Sequence, residues 1–262
     1  MAEAQFPVNF GTVLLESNRW TPEKIPTYRV SEWAAAIHDA GFSGLELWEN
    51  HAALADEAEQ VALSRLSLPV VIFNSYCTFD DAGAGARQRA AEYVRRFGAR
   101  GVKFNFGNEA ARTDEYVRNL RAWADTLPAG CRLLCECHGG TVLETPEQVA
   151  RVLAPLAGRV EIIVHPFAGE RATLQQWLDG FGPAVTHVHV AGLRGKWPMI
   201  RLEEMADEAQ ARLALLRKAG FAGTWTLEFT GGVAQSPEDR HTLLAHAAAD
   251  LAFLRKHGRK LC

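Results

Sequence analysis

Residues 217–229, RKAGFAGTWTLEF, bring a helix-like run to a stop at Gly220 and open an apolar strand a few residues later. A glycine just past the last helical residue supplies the left-handed conformation that most side chains resist, so the chain can leave the helix at once. The same punctuation recurs in HDAGFSGLELW, residues 38–48, and in RRFGARGVKFNF, residues 95–106. Short loops of this kind join helix to strand in repeated β/α units. Buried-type apolar runs at residues 8–14, 68–73, 132–136, 160–164 and 185–190 supply the other strands.

Amphipathic helices are expected between them, over residues 31–40, 81–97 and 108–127 among others. Thr145-Pro146-Glu147-Gln148 reads as a helix start, with a threonine cap, proline at the first helical position and glutamine closing a capping box. Ser236-Pro237-Glu238-Asp239 is expected to open a last helix that ends near Gly258. Counting gives about eight strands alternating with about eight helices. Continuous apolar strands between helices mean a parallel sheet covered on its outside. The expectation is an α/β chain folded as a single (β/α)8 TIM barrel over residues 1–262. No glycine-rich phosphate-binding fingerprint follows the first strand, which disfavours an open doubly wound sheet.

Hydrophobic content of 48%, charged content of 23% and a net charge of −3 are those of an ordinary globular chain. They offer no electrostatic footprint for nucleic acid or an anionic membrane, and no apolar run approaches a bilayer span. The N-terminal residues lack the basic and apolar regions of a secretory signal, so a cytoplasmic location is expected. Five cysteines without metal-site spacing read as reduced thiols. The expected partner is a small molecule, with self-association into a homo-oligomer left open.

In such a barrel the chemistry gathers at the C-terminal strand ends. The polar residues closing the strands are Glu46 or Trp48, Asn74, Lys103 or Asn105, Glu136, His165, His187 with His189, and Glu228. Side chains alternate faces along a strand. If Glu228 points inward, so do Thr224 and Thr226, while Trp225 and Leu227 face the helices; an inward Glu136 likewise sends Cys135 and Cys137 outward. A lone histidine at a strand end is usually a hydrogen-bonded structural residue. Glu136, His165, His189 and Glu228 close four consecutive strands, which points to a shared task. Two carboxylates and two imidazoles suit one divalent metal ion (Mn, Mg, Co or Zn), whose charge would offset the cost of burying them.

With these residues in place, the chain resembles the xylose isomerase-like TIM-barrel family of sugar and sugar-phosphate isomerases and epimerases. CECHGGTVLETPEQ looks like that family's fifth-strand segment, THVHVAGLRG like its His-x-His segment on strand seven, and GTWTLEF like its last strand. Carried over residue by residue, Glu136, His189 and Glu228 match the family's metal-binding positions. The chain departs from the pattern at strand six, where VHPFAGE puts His165 in place of an aspartate ligand and Ala168 in place of a substrate-touching histidine. Ala191-Gly192 replaces a Lys-Asp pair, with Arg194, Lys196 and Trp197 close behind.

The resemblance implies a metal-dependent isomerase or epimerase that works through an enediolate, with Glu136 and Glu228 as the acid/base pair. Around them, His138 can reach a substrate hydroxyl or order its own loop. Lys103 can bind an oxyanion or pair with Glu46. Arg194 and Lys196 can clamp a phosphate or carboxylate, and Trp48 and Trp197 can stack on a sugar ring or pack. Two other readings use the same residues: a lyase or dehydratase acting on a keto-sugar, keto-glycoside or cyclic polyol, and a catalytically silent carbohydrate-binding barrel.

Overall fold

All three glycines that were read as helix stops have left-handed backbones, with φ of 98° at Gly41, 64° at Gly98 and 71° at Gly220. Each hands the chain to a strand, and the strands close on themselves. The computed structural model describes residues 6–137, 139–195 and 197–258. The strands are β1 (Val8–Gly11), β2 (Gly44–Trp48), β3 (Val70–Asn74), β4 (Gly101–Asn105), β5 (Arg132–Glu136), β6 (Val160–Val164), β7 (Val185–Val190) and β8 (Thr224–Leu227). They form a closed parallel barrel in chain order, with β1 paired to β8. The protein is a single (β/α)8 TIM barrel.

The outer layer is α1 (Val30–Asp39), α2 (Glu49–Ala53), α3 (Glu57–Leu63), α4 (Ala84–Phe97), α5 (Thr113–Ala124), α6 (Pro146–Leu153), α7 (Arg171–Phe181), α8 (Ala206–Lys218) and α9 (Arg240–Gly258). In α5, Tyr116, Leu120 and Trp123 are the buried residues, a spacing that lays one stripe on the barrel. The capping box at α6 is present: Thr145 accepts from the Gln148 amide, and the Gln148 side chain accepts from the Thr145 amide. Among the described residues no helix is long and apolar enough to cross a membrane.

Several boundaries differ from the sequence expectation: β3 is Val70–Asn74 rather than 68–73, α4 starts at Ala84 rather than 81, α5 is Thr113–Ala124 rather than 108–127, and two further differences have a visible cause. The first strand stops at Gly11 rather than running to residue 14, because Thr12–Leu15 wind into a 3-10 turn. Local polar bonds hold that turn: the Trp48 amide donates to Thr12 Oγ1 at 2.9 Å, and Arg19 donates to the carbonyls of Val13 and Leu14. The last helix starts at Arg240, not at Pro237. The Asp239 carboxylate accepts from the Thr242 amide at 2.7 Å, while Glu238 is drawn away to Arg19.

The main core lies between sheet and helices, with Phe10, Phe73, Phe104, Cys135 and Leu227 packed in one cluster with Ile37, Val94, Leu120 and Leu251. Alternate residues face the barrel axis, where Ile72, Leu134 and Ile163 form a separate small cluster. Below them, at the N-terminal ends, Arg132 on β5 donates to Glu161 on β6, to Thr186 on β7 and to Thr224 on β8. The same parity, followed upward, delivers the polar residues at the mouth.

Candidate active site

Period two along β5 carries Arg132, Leu134 and Glu136 on the inner face, so the carboxylate surfaces one layer above the apolar plug. His165 and Glu228 lie one residue beyond β6 and β8, and His189 sits inside β7. One donor atom from each of Glu136, His165, His189 and Glu228 falls within 4.8 Å of the other three. Glu136 and Glu228 open into a cavity of about 590 Å³, together with Asn74, Lys103, Asn105 and His165. His189 forms the floor beneath it, fully buried.

Glu136 is the most heavily supported group. Lys103 Nζ lies 2.6 Å from its Oε2, Asn105 Nδ2 donates to the same oxygen at 2.9 Å, and His165 Nε2 lies 2.9 Å from Oε1. Asn105 is Glu136's cross-strand partner in the β4–β5 register, which explains its reach. Burial alone would raise the Glu136 carboxyl, but Lys103 and the imidazoles reverse this and hold it well below the usual carboxylate range. Burial would likewise lower Lys103, and the Glu136 carboxylate overrides it and raises the ammonium. Glu228 has looser company, His189 Nδ1 at 3.5 Å and His165 Nδ1 at 3.9 Å.

Underneath, Glu46 is fully enclosed. Its Oε2 accepts from His189 Nε2 at 3.1 Å and lies 3.6 Å from His187 Nε2, while its Oε1 accepts from Asn74 Nδ2 at 3.0 Å. Burial would raise this carboxyl, but His189 and His187 hold it far below its ordinary value. Burial lowers His187 to about 4. For His189 the burial effect is overcome by Glu46, Glu228 and Glu136, which raise it well above the normal imidazole value.

The donor set fits a divalent cation. His189 Nδ1 is buried without a hydrogen-bond partner, 3.6 Å from Glu136 Oε1 and 3.5 Å from Glu228 Oε2. A proton held there answers two carboxylates at a distance too long for hydrogen bonds, and a cation would answer them better. Glu46 keeps the other ring nitrogen protonated, which leaves Nδ1 as the lone pair for a ligand bond. Glu46, His187 and His189 form a second group of possible ligands. It is sealed from the cavity, and Glu46 already accepts from two donors.

The other residues singled out in the sequence divide between the cavity and the rest of the molecule. Lys103 pairs with Glu136, not with Glu46, so its charge is already engaged inside the barrel. Trp48 is fully buried, packed on His51 and Tyr76, and does not line the cavity as a sugar platform would. Arg194 is exposed, its Nη2 donating at 3.4 Å to the Glu204 carbonyl, and is not part of the cavity wall. Trp197 is 53% exposed and meets Trp20 at 5.2 Å between ring centroids. His138 and Lys196 lie outside the described residues. Cys135 is buried in the outer core, whereas Cys137, beyond the strand end where alternation no longer applies, reaches the cavity wall.

Sequence reasoning missed Trp20, Lys24 and Tyr76, all in loops without periodicity. Lys24 Nζ lies 4.2 Å and Lys103 Nζ 5.7 Å from the centroid of the Tyr76 ring, which forms one side of the mouth. The only available signal was a long segment after the first strand carrying a tryptophan and a lysine.

Solved structures share this architecture. A 3-keto-D-glucoside 4-epimerase, YcjR, from E. coli superposes with a TM-score of 0.65 at 18% identity, over 96% of this chain and 100% of that one. A xylose isomerase domain containing protein from Salmonella typhimurium gives 0.66 at 13% identity, over 97% and 99%. The fold is that of a xylose isomerase-like TIM barrel. The probable 3-DHS dehydratase AsbF, involved in petrobactin synthesis in Bacillus anthracis, gives 0.64 at 17% identity, over 95% and 98%. At these identities the likeness is one of fold. No protein-family profile matches the sequence, and no curated protein matches it.

Proposed function

We propose that the protein is an enzyme that isomerises or epimerises a sugar or keto-sugar, using a divalent metal ion and moving a proton at a carbon beside a carbonyl. The observation that carries this reading is the convergence of Glu136, His165, His189 and Glu228 at the floor of an open cavity. These four residues would hold the cation, and when bound it supplies electrophilic stabilisation to the oxygens of an enediolate. Likeness in fold to a 3-keto-D-glucoside 4-epimerase supports the same class of chemistry.

Glu136 and Glu228 serve as the acid/base pair, and their surroundings divide the work. Glu136 is kept anionic by Lys103 and oriented by Asn105. Glu228, whose carboxylate lies 3.5 Å from His189 Nδ1 and 3.9 Å from His165 Nδ1, is assigned the removal of the proton from carbon; on the other side Glu136 passes a proton from the adjoining Lys103 ammonium to the carbon, and solvent restores it. Return of the proton to the opposite face inverts the centre, and its delivery to the neighbouring carbon converts aldose to ketose. The Lys103 ammonium, beside Glu136, adds positive charge where an enediolate oxygen would gather it.

The test is incubation of the Mn²⁺-supplemented protein with keto-sugars in D₂O. Deuterium is expected at the carbon beside the carbonyl, and Glu228→Gln should slow its entry by about 10²–10⁴-fold. No deuterium uptake from any keto-sugar ends the proposal. A second reading, elimination of a leaving group from the enediolate, is favoured by one observation. His165 stands where the family that the chain resembles has an aspartate, lines the cavity, and offers a ring N–H to a departing oxygen. Product mass separates the two, because epimers keep the mass of the substrate and elimination products do not.

A further inference from the structure

Beside the carboxylates, the cavity has a wall of another character. Val13, Trp20, Leu193, Met199 and Phe229 line the cavity together with the polar Lys24, Tyr76, Lys103 and Asn105. Phe229 directly follows Glu228 in the chain, Trp20 lies 5.7 Å from Phe229, and Trp197 lies 5.2 Å from Trp20, all between ring centroids. A strip of three rings therefore leads from the candidate base outward. At its far end Trp20 and Trp197 are 50% and 53% exposed.

Trp20 is fixed in place. The Arg19 guanidinium sits 5.1 Å from its ring centroid and is itself anchored by Glu238 and by the carbonyls of Val13 and Leu14. The two indoles meet at 88°. A flat group laid on the face of one is automatically edge-on to the other, and both arrangements are favourable between aromatic rings. A volume of about 590 Å³ is also in the range of pockets that enclose a ligand larger than one sugar ring. A monosaccharide seated over the carboxylates can cover one ring with its C–H face and leaves the rest of the strip uncovered.

We infer that the aromatic strip is an aglycone subsite, and that the substrate is a glycoside whose reacting sugar carries a flat, apolar aromatic group. This rests on the reading of the carboxylate site as a sugar site. The sugar lies over Glu136 and Glu228, and its substituent runs along Phe229 to the Trp20–Trp197 corner.

The test is calorimetry on the Mn²⁺-supplemented protein with paired phenyl and methyl β-glycosides of glucose, galactose and xylose. The phenyl member of at least one pair should bind about tenfold tighter than the methyl member. Trp20→Ala and Trp197→Ala should each cut that preference to about twofold, and Trp20→Phe, which keeps a ring and guards against loss of fold, should retain part of it. Binding is also expected to quench tryptophan emission, and Trp20→Ala should remove the quench. Equal affinities within every pair, no phenyl glycoside bound at all, or a full preference surviving in both alanine variants would overturn the subsite. The preference is read without turnover. It therefore survives a failed deuterium experiment, and its absence alongside normal exchange counts against the subsite alone.

Discussion

Replacing Glu46 with glutamine alters one enclosed group that never touches the cavity, yet it should weaken the metal site above it. Asn74 Nδ2 donates to Glu46 Oε1 at 3.0 Å, and with the Asn74 amide kept in that orientation the glutamine oxygen stays on that side to accept it. The glutamine nitrogen must then face His189 Nε2, where the carboxylate oxygen now accepts at 3.1 Å. An amide nitrogen only donates, so Nε2 must become the acceptor and the ring proton moves to Nδ1. The neutral ring then keeps its hydrogen on Nδ1, where the cation needs a lone pair.

Loss of such an outer partner commonly costs 10–100-fold in metal affinity, which is about 1.4–2.8 kcal/mol. Competition titration of Mn²⁺ and Zn²⁺ against a chelator, for wild type and Glu46→Gln, measures it directly. Nitrogen-15 NMR of the histidine rings reports independently which His189 nitrogen holds the proton. An affinity within about twofold of wild type, with the Nε2 proton still in place, would refute the reasoning.

Three further outcomes follow from the charges. His189 is raised well above the ordinary imidazole value by Glu46, Glu228 and Glu136, against its burial, so a cation must displace a proton at neutral pH. Metal affinity should therefore climb about tenfold per pH unit until the pH passes that raised value, with about one proton released in buffers of differing ionisation enthalpy. Lys103→Met strips a buried carboxylate of its closest cation and should cost about 3–5 kcal/mol in the metal-free protein, with much of the lost melting temperature regained on adding Mn²⁺. Asp250 accepts from Thr230 and from the Leu202 amide inside the fold, and burial pushes it from 3.8 up to about 6. A raised carboxyl stabilises the fold fully below pH 3.8 and loses that contribution as pH climbs through about 6. Asp250→Asn should therefore gain about 3 kcal/mol relative to wild type between low pH and pH 8 in urea unfolding, and a pH-independent difference would contradict this.

Much of this architecture was legible from residue order, because the signals were local. β5, β6 and β7 have the limits read from their apolar runs, and Gly41, Gly98 and Gly220 turn where a helix has to stop. Period-two alternation was enough to bring Glu136, His165, His189 and Glu228 to one rim. Alternation assigns a face, however, and not a partner across the barrel. Lys103 was open between an oxyanion and Glu46; the register that sets Asn105 beside Glu136 also sends Lys103 to that carboxylate. Trp48 illustrates the same limit from the other side, since a strand-end indole reads alike whether it faces solvent or is closed over by Tyr76 and His51. Trp20 and Tyr76 lie in loops, where no periodicity tells which way a ring turns.

The clasp at the foot of the barrel has a consequence for the rim. Arg132 ties β5 to β6, β7 and β8, the four strands whose upper ends present the candidate ligands. A slip of one residue in any of them would turn its ligand toward the helices, and the guanidinium tether opposes that slip from the end remote from the chemistry. Alignment of the four upper ends is therefore kept from below, whichever side chain each of them presents, the histidine at position 165 included.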